Sequence, residues 1–179
     1  MFDPVTEYTP YAGIGSRETP PDILELMTAI SRMLDERGYT LRSGGAEGAD
    51  QAFDWGTSGM SHPEVFLPWE GFNGKRSTID VPANCVAKAM EIAREFHPNW
   101  AACSDGARKL HTRNTFQVLG RDLVSPSKFI VCWTKDGKAS GGTGQALRIA
   151  DSRKIPIHNL HSKETRGRFY GELGWDHAG

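Results

Sequence analysis

Three times in this chain glycine stands between an apolar, strand-like run and the start of a helix-like pattern, and that repeat limits the folds open to it. The clusters fall at 13–16, 43–48 and 140–144. Ahead of the third, Phe129-Ile130-Val131-Cys132-Trp133 is apolar throughout, as a strand covered on both faces must be. Behind it Ala146, Leu147, Ile149 and Ala150 follow helical spacing. Short apolar strands alternating with helices imply a parallel sheet with helices on both sides. Ligands of such sheets bind beyond the carboxyl ends of the strands, where all three clusters fall. Glycine lets backbone N–H groups approach an anion, and a helix start adds unpaired N–H groups and partial positive charge. The plainer alternative is three tight turns that bind nothing.

In chain order, residues 1–9 are a short polar lead. Tyr11 to Gly15 reads as the first strand. Thr19, ahead of Pro20-Pro21, has the chemistry of a helix N-cap. Ile23, Leu24, Met27, Ile30, Met33 and Leu34 then predict an amphipathic helix ending near Gly38. Residues 39–43 form the second strand, and a helix follows Asp50, whose carboxylate is expected to cap it. Residues 64–67 form a third strand ending at Pro68-Trp69. A loop over 70–80 carries Lys75-Arg76, and Asp80 or a neighbour is expected to cap a helix over 82–96. Ser104 or Asp105 starts the next helix, which ends at Gly120. Strand four is 129–133, the last helix spans 143–153, and strand five spans 155–160. Beyond His161 the chain is polar and reads as an irregular tail or a partner-binding extension, assigned to the same domain as 1–160.

With 179 residues and a formal net charge of −1, the chain suits one domain and lacks the bulk basic charge that coats nucleic acid. Cys85, Cys103 and Cys132 are odd in number and widely spaced, which argues against a disulfide framework or a zinc site. His62, His97, His158 and His161 show no metal-ligand spacing, so no metal is assigned. The N-terminus shows no secretory signal and no apolar run reaches membrane-spanning length. A soluble, cytoplasmic protein without a membrane partner is expected.

Ala12-Gly13-Ile14-Gly15-Ser16-Arg17, Ser43-Gly44-Gly45-Ala46-Glu47-Gly48-Ala49-Asp50, His111-Thr112-Arg113-Asn114 and Gly141-Gly142-Thr143-Gly144 together resemble the SLOG superfamily. That group joins DNA-processing protein A to the Lonely Guy phosphoribohydrolases. The second motif is similar to the signature of the DNA-processing side. The third and fourth are similar to the Lonely Guy motifs, where the arginine belongs to the active site. The resemblance covers roughly residues 11–160. It implies a single Rossmann-like three-layer α/β domain with a mostly parallel sheet, a nucleotide-type ligand, no cofactor, and homo-oligomers formed through helices flanking the site. It departs from the Lonely Guy pattern at Gln145-Ala146-Leu147, where that family carries a glutamate; no carboxylate lies between Thr143 and Asp151.

The candidate ligand set is therefore Gly15, Ser16, Arg17, Ser43, Gly44, Gly45, Arg113, Asn114, Gly141, Gly142, Thr143, Gly144 and Gln145. Arg17 is placed to grip a phosphate; its plain alternative is a surface pair with Glu18 or Asp22. Glu47 and Asp50 are the candidate catalytic carboxylates, with Arg113 beside them. Trp69 is the candidate stacking surface for a base, with closing the core under its loop the alternative; Lys75 and Arg76 are a candidate phosphate lid, with a solvated basic loop the plainer alternative. Three functions are open: binding of a nucleotide or nucleotide-derived ligand, hydrolysis of a nucleoside 5′-monophosphate to free base, and single-stranded DNA binding. The near-neutral charge weighs against the last.

Overall fold

The computed structural model describes residues 2–176. Five strands, β1 (Pro10–Gly15), β2 (Thr40–Ser43), β3 (Glu64–Val65), β4 (Ile130–Trp133) and β5 (Ile157–Asn159), form one sheet in the order β3-β2-β1-β4-β5. Every pairing is parallel, so the sheet expected to be mostly parallel is wholly so. Six helices flank it: α1 (Pro21–Glu36), α2 (Ala49–Gly56), α3 (Ala83–Glu95), α4 (Asp105–Leu119), α5 (Gly141–Ser152) and α6 (Lys163–Leu173). This is a Rossmann-like three-layer α/β domain. No helix among the described residues is long and apolar enough to cross a membrane.

The two-residue period of the strands divides the core. Tyr11, Leu41, Val131 and Trp133 face one side and pack with Leu26, Met27 and Ile30 of α1, Phe53 of α2 and Phe169 of α6. Ala12, Ile14, Ile130 and Cys132 face the other, against Phe116 and Leu119 of α4 and Ala146, Leu147 and Ile149 of α5. Both faces are therefore dry, which is why the strands read as continuous apolar runs.

Several local expectations are corrected. β3 stops at Val65 rather than Leu67, because β2 turns away after Ser43 and leaves no strand to pair with. β5 is shorter than 155–160. Thr19 does not cap α1; Pro20 holds the cap position, and the Thr19 hydroxyl donates to the Ser16 carbonyl at 2.6 Å. Asp80 does not cap α3, whose cap position is Pro82. Asp50 lies inside α2, and its carboxylate reaches back to the Ala46 N–H, while Gly48 is the cap residue. Ser104 does cap α4, accepting from the Ala107 N–H at 3.2 Å. α5 starts at Gly141, inside the glycine cluster, rather than at Thr143. The tail read as irregular contains α6, which seats Phe169 in the core; residues 177–179 of that tail lie outside the described residues.

Candidate functional site

Chain order reverses between β1 and β4, the neighbouring strands that leave the sheet centre toward opposite edges. Their register aligns Gly15 with Trp133, and beyond these ends lies a cleft of about 570 Å³. It is bounded by the turn after β1, the 46–50 loop, the Trp69–Asn73 segment, α4 and the first turn of α5. This is the crevice that the topology of an open parallel sheet reserves for ligands.

The turn after β1 is held by its own polar groups. Ser16 Oγ accepts from the Glu18 N–H at 3.0 Å, and the Ser16 carbonyl accepts from Thr19. Arg17 stands on this turn, exposed at the cleft. Among the described residues it makes neither of the surface pairs with Glu18 or Asp22 that its sequence neighbours offered.

Across the cleft, α4 presents Arg113, Asn114 and Gln117. Arg113 is 7% exposed, and its Nη1 donates to the Gly44 carbonyl and lies 3.3 Å from Asp50 Oδ2. A Cβ on Gly44 would lie 2.0 Å from that Nη1. Gly44 is therefore glycine to admit a guanidinium, a reason different from the anion cradle expected of it. Asp50, 4% exposed, also accepts from the Ala46 N–H at 3.2 Å. Burial pushes its carboxyl up to about 6, against the opposing pull of Arg113 and the Ala46 N–H. Burial likewise lowers the Arg113 guanidinium, with Asp50 opposing. Desolvation outweighs the pair's attraction on the carboxylate side. Glu47 is exposed at the rim and makes no hydrogen bond or ion pair among the described residues.

The third wall is the start of α5. Ser140 occupies its cap position without a side-chain cap, because its hydroxyl donates to Asp136 Oδ1 at 2.6 Å instead. Asn114 Nδ2 holds the first turn by donating to the Gly142 carbonyl at 3.3 Å. Gly142 and Thr143 line the cleft, and a Cβ on Gly142 would meet nothing within 4 Å. The leading N–H groups of a twelve-residue helix thus lack a side-chain cap at the cleft wall. The remaining wall is aromatic: Trp69, 42% exposed, meets Phe72 edge-on with ring centroids 4.9 Å apart.

Of the expected site residues, Gly15, Ser16, Arg17, Glu47, Asp50, Trp69, Arg113, Asn114, Gly142 and Thr143 are brought together on the cleft. Ser43, Gly44, Gly45, Gly141, Gly144 and Gln145 do not line it. Ser43 ends β2, and Gly45 belongs to the loop that Arg113 braces. Gly144 packs against the Ala139 carbonyl, where a Cβ would sit 2.5 Å away. Gln145 is fully buried, its amide 3.4 Å from Thr115 Oγ1. The lid reading of Lys75 is corrected: its Nζ pairs with Asp54 Oδ2 at 2.7 Å, and neither it nor Arg76 lines the cleft.

Two features escaped the sequence reading. Gln117 lines the cleft, is fully buried, and has no partner among the described residues for either end of its amide. Buried amides without partners are costly, so an unmet donor and acceptor lie packed behind the cleft surface. The second is a cluster of His97, Cys103 and His111, whose ligand-type atoms lie within 4.8 Å of one another. The sequence spacing of these residues matches no familiar metal-binding motif; the corner between α3 and α4 brings them together in space.

Comparison of the chain with protein-family models, with curated proteins and with solved structures returns no match in any of the three.

Proposed function

We propose that the cleft binds a phosphorylated nucleoside. The observation that carries this reading is the start of α5, whose N–H groups lack a side-chain cap and adjoin a cleft that Arg17, unpaired among the described residues, also lines. A helix N-terminus and a free arginine form a phosphate site. The exposed Trp69 face offers a surface for a base. Near-neutral net charge and a bounded cleft favour a small ligand over a polynucleotide.

A second reading, hydrolysis of the N-glycosidic bond of a nucleoside monophosphate, is favoured by Asp50. A buried carboxyl that titrates near 6 keeps a proton closer to neutral pH than an exposed one and is suited to protonating a departing base. Glu47, exposed at the rim, would be the base that activates water.

One experiment tests both. The protein is incubated with a panel of nucleoside mono- and diphosphates and ADP-ribose, and thermal unfolding and base release are followed. At ligand about a hundredfold above Kd, the binding reading expects a rise in Tm of about 5 °C or more, lost in Arg17→Ala. No shift across the panel would sink it. Free base on chromatography, abolished in Asp50→Asn, supports hydrolysis; a shift without base leaves binding alone.

A further inference from the structure

Beside the cleft, the chain turns from α3 into α4 through a corner that serves neither phosphate nor base. His97 follows the C-terminus of α3, a single turn of 3-10 helix spans Trp100–Ala102, Cys103 comes next, and His111 sits on the second turn of α4. Cys103 Sγ lies 3.6 Å from Nε2 and 3.7 Å from Nδ1 of His97. The two imidazole rings are 4.4 Å apart at 60°. A tetrahedral zinc centre of ordinary bond lengths separates its sulfur and nitrogen ligands by about 3.5 Å. The corner therefore already holds a thiol and imidazole nitrogen at close to the spacing such an ion requires.

We propose that His97, Cys103 and His111 form a binding site for one borderline-soft divalent cation of the zinc class. The donor set of one thiolate and two imidazoles selects zinc or its analogues over magnesium or calcium. Three protein ligands leave a fourth position for water, as in catalytic rather than structural zinc sites. His111 also lines the cleft, so the ion would stand at the edge of the nucleotide site. The proposal does not rest on that site being a nucleotide site.

An unsatisfied atom points the same way. Nδ1 of His111 is buried without a hydrogen-bond partner among the described residues, although Gln145 lies against the same ring; a metal bond or a local rearrangement would relieve that cost. Two features oppose uptake. Asn99 N–H donates to His97 Nδ1 at 3.1 Å, so metal entry costs either that bond or the ring's other proton. Arg113 and Arg148 also place positive charge near His111. The Cys103 thiolate is the group that offsets this charge, which makes Cys103 the decisive ligand.

Cobalt(II) is the probe, because a thiolate bound to it gives a charge-transfer absorption that imidazole and carboxylate do not. Titrating the intact, reduced protein with cobalt should raise that band to saturation at one equivalent, together with the intense visible bands of tetrahedral cobalt. Zinc should displace both. The band should be lost in Cys103→Ser, weakened in His111→Gln, and kept in Cys85→Ser. In the wild-type protein, zinc should block alkylation of Cys103, read by peptide mass spectrometry, and leave Cys85 reactive; this holds the proposal to account even where a variant fails to fold. Absence of the charge-transfer band from the folded wild type, its survival in Cys103→Ser, or alkylation of Cys103 unaffected by zinc would each overturn the proposal.

Discussion

At the scale of single residues, the buried charges decide most. Arg42 is 1% exposed in the middle of β2, yet it pairs with Glu64 at 2.7 Å and donates to the Ser125 carbonyl and the Tyr8 hydroxyl. Nothing in its neighbours along the chain announces this hub, because its partners come from three distant segments. Gly44 is similar: its sequence motif marks it as glycine-requiring, but the reason, Arg113, lies far along the chain. Asp50 carries a testable consequence. Its carboxyl titrates near 6 in the folded protein and near about 4 when unfolded. Between those values the folded state holds a proton that the unfolded state has lost, so stability falls as pH rises through the window. Asp50→Asn should remove that component. Relative to the variant, the wild type should gain on the order of 2 kcal/mol as pH drops from about 7 to about 4. Denaturant midpoints measured across that range would show it; parallel curves for the two proteins would contradict it.

At the scale of elements, the strand–glycine–helix rhythm was legible because buried parallel strands have to be apolar and the turns between layers have to be tight. Strand lengths were not, since β3 ends where its partner turns away rather than where its own residues change. The start of α5 shows the same division. Its glycines marked a helix N-terminus at a strand end, and the structure puts Gly142 and Thr143 on the cleft. Gly144 packs against the Ala139 carbonyl and Gln145 is buried, so neither faces the cleft although Gly144 closes the glycine cluster and Gln145 follows it. Gly142 gives a clean test, because its Cβ direction is empty. Gly142→Leu should leave Tm within what about 1 kcal/mol would move while weakening nucleotide binding about tenfold or more, the scale of a lost helix-terminus anion contact. Calorimetry on the folded variant decides it; unchanged affinity would remove α5 from the proposed phosphate site. The corner from α3 to α4 was illegible for a different reason. Its three ligand-type residues are set together by a helix crossing and a turn of 3-10 helix, and no fixed spacing encodes that.

At the scale of the whole molecule, the α/β class and the placement of the cleft follow from the order of elements, whereas its lining needs the assembled sheet. Gln117 is an example: its helical position suits either core or surface, and only the packing of α4 against β1 and α5 makes it an unmet amide behind the cleft surface. The same assembly fixes when the cleft exists. β1 pairs with β2 through the single α1 crossover, but its other neighbour, β4, arrives only after β2, α2, β3, α3 and α4 have intervened. Contacts between segments so far apart in sequence are the slow ones to form. The β1–β4 joint should therefore close late, and the cleft that straddles it is absent from any chain that has folded only its first half. A nucleotide bound there would act as a latch on the joint, recognising the finished protein and nothing earlier on the route. Stopped-flow measurements should then show the ligand lowering the unfolding rate while leaving the refolding rate unchanged; faster refolding would mean that the joint closes early. The seam between β1 and β4 thus bears on more than the place of the cleft: with the proposed ligand, binding competence would be one of the last properties the chain acquires and one of the first it gives up.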